Sequence, residues 1–361
     1  MSLSSRDSLE TAIGARAAGA DHARGDLAAD IDDLRTQGWL AACLPRDAGG
    51  SGWGTDADGT QNALDALRTI GRANLSVARL FEGHMNAAKL VTLYADEQLR
   101  HETFSAVRGG ALLGVWGADD PSEPLTLDAA SNRLRGAKRF TSGLGLVNHA
   151  IVSVAGEDGP QLLVVATDDD QRSDASVWQM GGMRATRSGR YDFDGFVVEP
   201  HQKLGRPGDY LREPFFEGGI WRYCAAHLGA AEALYRAMRT ELVARGRAGD
   251  PHQQRRLVDA AISTETARLW VTRAARAVEA DRAQPETAAL SLLARDVTER
   301  SCRIVMENVE QALGMGAHIA GSPVERIGRD LSLFLCQAAP DAKRARAAQT
   351  LITIDCELEF L

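Results

Sequence analysis

Apolar residues along this chain change their spacing twice, and the double change restricts the fold more than any single motif. From about residue 6 to residue 110, segments such as LAADIDDLRTQGWLAACL and NALDALRTIGRANLSVARLFEGHMNAAKLVTLY repeat apolar side chains every three or four positions, the step of an amphipathic helix. From residue 111 the chain turns to short β-branched or alternating runs, ALLGVWG, HAIVSVAG, QLLVVATD and RYDFDGFVVEP, parted by Gly, Asp and Pro. After Leu204 and Gly205 the helical step returns, in GIWRYCAAHLGAAEALYRAMRTELVAR and three further segments that run nearly to the end. An α+β architecture is predicted: a helical domain over residues 1–110, a small antiparallel β domain over 111–203 and an antiparallel helical bundle over 204–361.

Composition narrows the partners. A net charge of -8 argues against a nucleic-acid surface, although a local basic patch can still hold a phosphate-bearing ligand. No stretch approaches the roughly 20 apolar residues of a membrane span, so no membrane partner is expected. The start, MSLSSRDSLETAIGARAAGADHARGD, lacks the apolar centre of a secretory signal, which makes the cytoplasm the expected compartment. Cys43, Cys224, Cys302, Cys336 and Cys356 show no CxxC spacing and read as reduced, mostly packed thiols rather than a zinc site or disulfides.

Few segments have the pattern of a reactive site. GGSGWG lies between helices, not between a strand and a helix, so it reads as the glycine-rich loop of Leu44 to Gly54 and not as a dinucleotide fingerprint. P-loop, HExxH, GxSxG and kinase signatures are absent from the sequence. His227, among small residues on a helix, reads as a packed histidine; His84 and His318 have glycines nearby. GAKRFTSG, Gly136 to Gly143, places two hydroxyls after an aromatic at a strand end, a turn that suits either an ordinary hairpin or a flat polar ligand. QALGMGAH, Gln311 to His318, ends a helix in glycines, and Arg245, Arg247, Arg255 and Arg256 cluster around DPHQQ, as a solvated turn or a pyrophosphate site would.

Taken in order, four segments resemble the acyl-CoA dehydrogenase family of flavoproteins. LPRDAGGSG resembles its LPxxxGGxG loop, GAKRFTSG its GxKxFxSG strand, MGGMRATRSGRYDFDGFVVEP its GMRxTxSxxxxFxxVxVP segment and SPVERIGRD its PxERxxRD. The resemblance implies a helix, β-barrel, helix-bundle fold, FAD as cofactor, and a homodimer or homotetramer in which a neighbouring subunit also touches each flavin. It implies that Phe140, Thr141 and Ser142 lie along the isoalloxazine, with contacts from Trp116 and Gly117. It makes Gln311, Gly314 and Gly316 candidates for the adenosine diphosphate end of a partner's FAD, and Arg247 and Gln254 approximate matches to the pyrophosphate loop.

The family's dehydrogenation needs a carboxylate base for the α proton. Its usual place, eight residues after the Asp of the Arg-Asp pair, falls here on Ala338. An alternative family position falls on Gly219 to Trp221, none of them acidic, which leaves Glu217 and Asp341 as the candidate bases. Phe215, Phe216, Trp221 and Tyr223 are either channel walls or bundle core, and Arg222 a contact for a CoA phosphate or a cap on the entrance. The leading expectation is an FAD-dependent oxidoreductase acting on the CH–CH group of an acyl-CoA or similar thioester, with an electron-transfer or reductase partner. Two readings stay open beside it: a monooxygenase that uses reduced flavin and oxygen, and a non-catalytic subunit on the same scaffold.

Overall fold

The structure, a computed structural model, describes residues 3–22, 26–337 and 339–354. Among the described residues, six helices come first: α1 (Leu3–His22), α2 (Ala28–Thr36), α3 (Trp39–Ala42), α4 (Thr60–Ala73), α5 (Leu75–Tyr94) and α6 (Glu97–Arg108). Nine strands come next: β1 (Leu113–Trp116), β2 (Thr126–Asp128), β3 (Arg133–Arg135), β4 (Ala137–Thr141), β5 (His149–Val154), β6 (Gln161–Ala166), β7 (Ser173–Asp174), β8 (Gly189–Asp192) and β9 (Lys203–Leu204). The chain then returns to helix: α7 (Phe215–Gly218), α8 (Trp221–Ala244), α9 (Pro251–Val278), α10 (Ala288–Leu313), α11 (Pro323–Phe334) and α12 (Pro340–Thr353).

The helix starts come from local chemistry. Asn74 Oδ1 accepts the Ser76 N–H at the head of α5, and Asp96 does the same for Leu99 at α6. Pro251 and Pro323 stand in the first turns of α9 and α11, behind Asp250 and Ser322, whose side chains accept backbone N–H groups. In the β region, the order β1-β5-β6-β9 makes one sheet, β4-β8-β7 a second and β2-β3 a hairpin. One pairing corrects the antiparallel expectation: β1 runs parallel to β5, with Leu113 opposite His149. The chain between β1 and β5 includes the β2-β3 hairpin and β4, which supplies the crossover that a parallel neighbour requires.

In the bundle, α8, α9 and α10 pack against one another along their lengths, and α12 rests on α10. Two glycines set the tightest crossing. A Cβ on Gly71 of α4 would lie 2.3 Å from the Ala226 carbonyl oxygen, and one on Gly229 of α8 would lie 2.3 Å from that of Arg68. Alanine's helix propensity would favour either substitution by about 1 kcal/mol, but the overlap forces the two helices apart. Gly229→Ala is therefore expected to lower stability by about 1–3 kcal/mol. Denaturant unfolding checks this; an unchanged midpoint would refute so close a crossing.

Helix α5 joins the parts of the molecule. It packs against α4, β1, α8 and α11, so it touches all three regions of the chain. Cys43, Cys224 and Cys302 are buried, and burial pushes their thiols up, which suits packed residues; Cys336 is exposed, and Cys356 lies outside the described residues. Among the described residues no helix is long and apolar enough to cross a membrane.

Candidate functional site

Where α5, the sheets and the bundle meet they enclose a cavity of about 560 Å³. Its sheet-side wall begins at the end of β4. There Phe140 has φ of 55°, in the left-handed region, at a register break between Arg139 and Thr141. A bulky residue adopts that conformation only where its surroundings impose it. The result turns Phe140 and Ser142 to the cavity while Thr141 stays buried, its hydroxyl without a partner. Trp116 stands behind this wall and donates from Nε1 to the Ser142 carbonyl at 3.1 Å; Gly117 lines the cavity directly.

A short hydroxyl chain fixes how Ser142 meets a ligand. Thr186 Oγ1 donates to the Met183 carbonyl (2.7 Å), so it accepts from Ser188 Oγ (2.8 Å), which in turn accepts from Ser142 Oγ (2.9 Å). With its hydrogen committed to Ser188, Ser142 presents lone pairs, an acceptor for a ligand N–H. Trp178 offers the complementary group. Its Nε1 is buried without a partner, and its ring meets Phe140 edge-on at 6.1 Å.

Two segments far apart in the chain meet to hold this wall. Asp330 of α11 accepts the Met183 N–H at 2.7 Å, and Asp21 of α1 receives both Arg184 (2.6 Å) and Arg329 (2.9 Å). Gly182 passes so close to α11 that a Cβ there would lie 2.8 Å from the Arg329 carbonyl. MGGMRATRS and SPVERIGRD thus act as one clamp on the segment that carries Met183, Thr186 and Ser188 into the cavity.

The opposite wall is a stripe that the sequence reading passed over. Arg79, Glu82, Asn86 and Lys89 stand three, four and three residues apart on α5 and all line the cavity. Glu82 is 3% exposed and accepts from both Arg79 and Asn86. Lys89 donates to the Thr55 carbonyl (3.1 Å) and pairs with Glu279 (2.8 Å). The run RLFEGHMNAAK is apolar enough on average to pass for core; four polar residues at helical spacing were the signal.

The bundle side adds Tyr210, Phe215, Phe216, Tyr223 and Phe334. Burial, with Glu82 and Glu217 nearby, pushes the Tyr210 phenol up to about 12, and burial pushes that of Tyr223 well above its usual value, so both remain protonated donors near neutral pH. His227 lies beneath this wall, with its ring 4.4 Å from that of Phe334.

Several expected residues fall elsewhere. Trp221 is fully buried outside the cavity, because as the first residue of α8 it points at the end of α9 and donates from Nε1 to Glu279 at 3.0 Å. Arg222 lines the cavity but caps no entrance: it is 2% exposed and donates to Glu279 (2.8 Å) and to the Gly54 carbonyl (2.7 Å). Glu217 does not face the cavity. On the single turn of α7, Phe215 and Phe216 take the cavity side, and Glu217 pairs with Lys343 of α12 at 2.5 Å. The Asp341 side chain is 99% exposed, so it is no buried base. Ala338 lies outside the described residues.

Arg247, Gln254, Gln311, Gly314 and Gly316 come together away from the cavity, where α8 and α10 end and α9 begins. Arg247 pairs with Asp250 at 3.2 Å, Gln254 donates to the Ala248 carbonyl, and Gln311 accepts from Arg256 at 3.4 Å. Gly316 lies against Arg245, and Gly314 has φ of 61°. With His252, Arg255 and Arg256, Gln311 lines a separate surface groove.

Comparison with known proteins gives this geometry a context. Residues 215–335 match the acyl-CoA dehydrogenase C-terminal domain. The dibenzothiophene monooxygenase of Rhodococcus qingshengii is 30% identical over 205 residues, which cover 53% of this chain and 48% of that protein. A Pseudomonas putida protein named a probable FMNH2-dependent monooxygenase is 25% identical over 283 residues, covering 72% and 69%. The chain spans about half the length of the dibenzothiophene monooxygenases it matches. Among solved structures, TdsC of Paenibacillus sp. A11-2 with FMN and indole superposes with a TM-score of 0.83 at 20% identity, over 97% of this chain and 96% of that one, a likeness of fold.

Proposed function

We propose that this chain, a divergent member of the acyl-CoA dehydrogenase family, is a flavin-dependent monooxygenase that uses reduced flavin and dioxygen to oxygenate a small molecule. One observation carries this over desaturation of a thioester. Among the described residues, the one carboxylate lining the cavity is Glu82, and it is engaged by Arg79 and Asn86, while Glu217 and Asp341 lie elsewhere. Removal of an α proton needs a base within reach of the substrate. Oxygenation depends instead on a flavin site shielded from water.

The residues present fit a flavin. The unpartnered Trp178 N–H, the Ser142 acceptor and the flat face at Phe140 are a donor, an acceptor and an apolar surface for a planar ring system. Phe140, Ser142, Trp178 and the backbone at Gly117 would hold it, with Trp116 and Thr141 supporting the strand end from behind. A bound reduced flavin supplies the electron pair that activates dioxygen. The aromatic walls would exclude water, and the protonated Tyr210 and Tyr223 phenols are hydrogen-bond donors on the bundle-side wall.

FMN is favoured over the FAD expected from sequence. The name of the Pseudomonas putida relative specifies FMNH2, and TdsC was solved with FMN. The candidate contacts for adenosine diphosphate lie away from this chain's own cavity, where they would meet only a second copy's flavin, so they do not bear on the choice within one chain. Val258, Ile262, Leu269 and Ile304 stay exposed on α9 and α10, which supports assembly with another copy. A separate reductase would deliver the reduced flavin.

Two measurements test the reading. With FMN reduced by a flavin reductase, oxygen uptake coupled to formation of an oxygenated product is expected from at least one member of a panel of small molecules, neutral and anionic. Anaerobic titration of flavin-loaded protein with butyryl-CoA is expected to leave the flavin absorbance unchanged. Bleaching by the thioester would overturn the proposal in favour of dehydrogenation.

A further inference from the structure

The charges at the cavity wall do not balance. Arg79, Lys89 and Arg222 stand against the carboxylates Glu82 and Glu279: Arg79 is paired with Glu82, while Lys89 and Arg222 share Glu279 alone. Lys89 and Arg222 are 8% and 2% exposed, where an uncompensated positive charge is costly. Arg139, stacked 4.0 Å over the Phe140 ring, adds a further cation to the lining. This cationic surface sits inside a protein of net charge -8, so it is a local arrangement and not a reflection of the whole molecule.

The free donors face usable space. Among the described residues, Arg222 Nη1 carries no hydrogen bond, both of its partners being taken through Nη2. Gly219 lets Arg222 Nη1 lie close against the backbone: a Cβ at that position would crowd it, at 3.1 Å from the Phe215 carbonyl oxygen, 3.3 Å from Arg222 Nη1 and 3.6 Å from Asn86 Oδ1. Arg79 uses only Nη1, on Glu82. Phe215, Phe216, Tyr223 and Phe334 give the bundle-side wall an aromatic surface. Planar guanidinium groups with spare donors, set beside aromatic walls, match an oxyanion attached to a compact apolar body.

We infer that the substrate of this cavity carries a small oxyanion, a carboxylate or its sulfur or phosphorus counterpart, received by the spare guanidinium donors of Arg79 and Arg222 in the cavity lining. The inference rests on the cavity being the substrate site of the proposed oxygenation. The same cations could otherwise serve the phosphate of FMN, and the experiment separates the two sources.

Isothermal titration of the full chain with benzoate and with its neutral isostere benzamide, each with and without saturating FMN, reads the preference directly. Benzoate is expected to bind about tenfold or more tightly than benzamide, as a charge-assisted contact implies, and to keep that preference with FMN present. Arg79→Met and Gly219→Ala should each remove most of the preference. Gly219→Ala alters no charge, so it decides the matter if Arg79→Met fails to fold. Equal binding of the two probes, displacement of benzoate by FMN, or a preference intact in folded Gly219→Ala protein would overturn the inference. Oxygenation of neutral substrates without any benzoate preference would leave the monooxygenase standing and the oxyanion site refuted; benzoate preference without oxygen chemistry would do the reverse.

Discussion

Glu279→Gln is expected to destabilise the fold by about 3–5 kcal/mol, the cost of breaking a buried ion pair from one side. Glu279 ends α9 and is 4% exposed, with Lys89 and Arg222 on its two oxygens and the Trp221 indole donating as well. Burial pushes its carboxyl up, but Arg222 and Lys89 outweigh burial and hold it below the usual range. Glutamine keeps the shape and can still accept from Trp221, so the loss reports the charge. Two buried cations would then face each other across a neutral amide, and both line the cavity. Lys89→Met in the same chain should recover part of the loss, since it removes one of the stranded charges. Urea unfolding of the two single variants and the double variant gives the coupling. Additive losses would mean that Lys89 and Glu279 do not share one ion-pair cluster.

The same cluster shows what could be read in the sequence and what could not. Helix, sheet and helix again were legible because periodicity is a property of neighbouring residues. The segments GAKRFTSG, MGGMRATRSG and SPVERIGRD were legible as a resemblance, and the structure gives them a physical role, as the bulged strand end and the clamp through Asp330 and Asp21. Partner choice was not legible. Nothing near Lys89 announces Glu279, and nothing near Leu113 announces a parallel neighbour at His149. Glu217 was a reasonable base by position, yet its direction depends on Lys343 and Arg346, which a distant helix supplies. The polar stripe on α5 was visible in principle, but charged residues at three and four spacing usually mark a solvated face. Only the packing of α5 against sheet and bundle turns that stripe inward.

Acid should destabilise this protein well before its carboxylates as a group are protonated, and two buried histidines set the effect. Burial pushes His84 down to about 4 and His227 down to about 3, so both are neutral in the fold near pH 7. In the unfolded chain each titrates near 6.5. Below that value the unfolded chain takes up protons that the fold refuses, and each histidine removes about 1.4 kcal/mol of stability per pH unit until its folded value is reached. By pH 4 that is about 3 kcal/mol for each. Asp330 opposes them. Burial pushes its carboxyl up to about 6, against Met183 N–H and Arg329, so acid relieves a strained ionised group and returns about 3 kcal/mol between pH 6 and 4. The two histidines prevail, with a net loss of about 3 kcal/mol, a large part of the roughly 5–15 kcal/mol a folded protein has. His227 is the clean test. His84 donates from Nε2 to the Leu40 carbonyl and accepts Leu113 N–H, so replacing it orphans two backbone groups. His227 Nε2 has no partner, and its ring packs on Phe334. His227→Leu should therefore keep the packing and lose about 2 kcal/mol less than the parent between pH 7 and pH 5 in urea unfolding. An identical pH dependence in the variant would mean that His227 takes up its proton as readily in the fold as out of it.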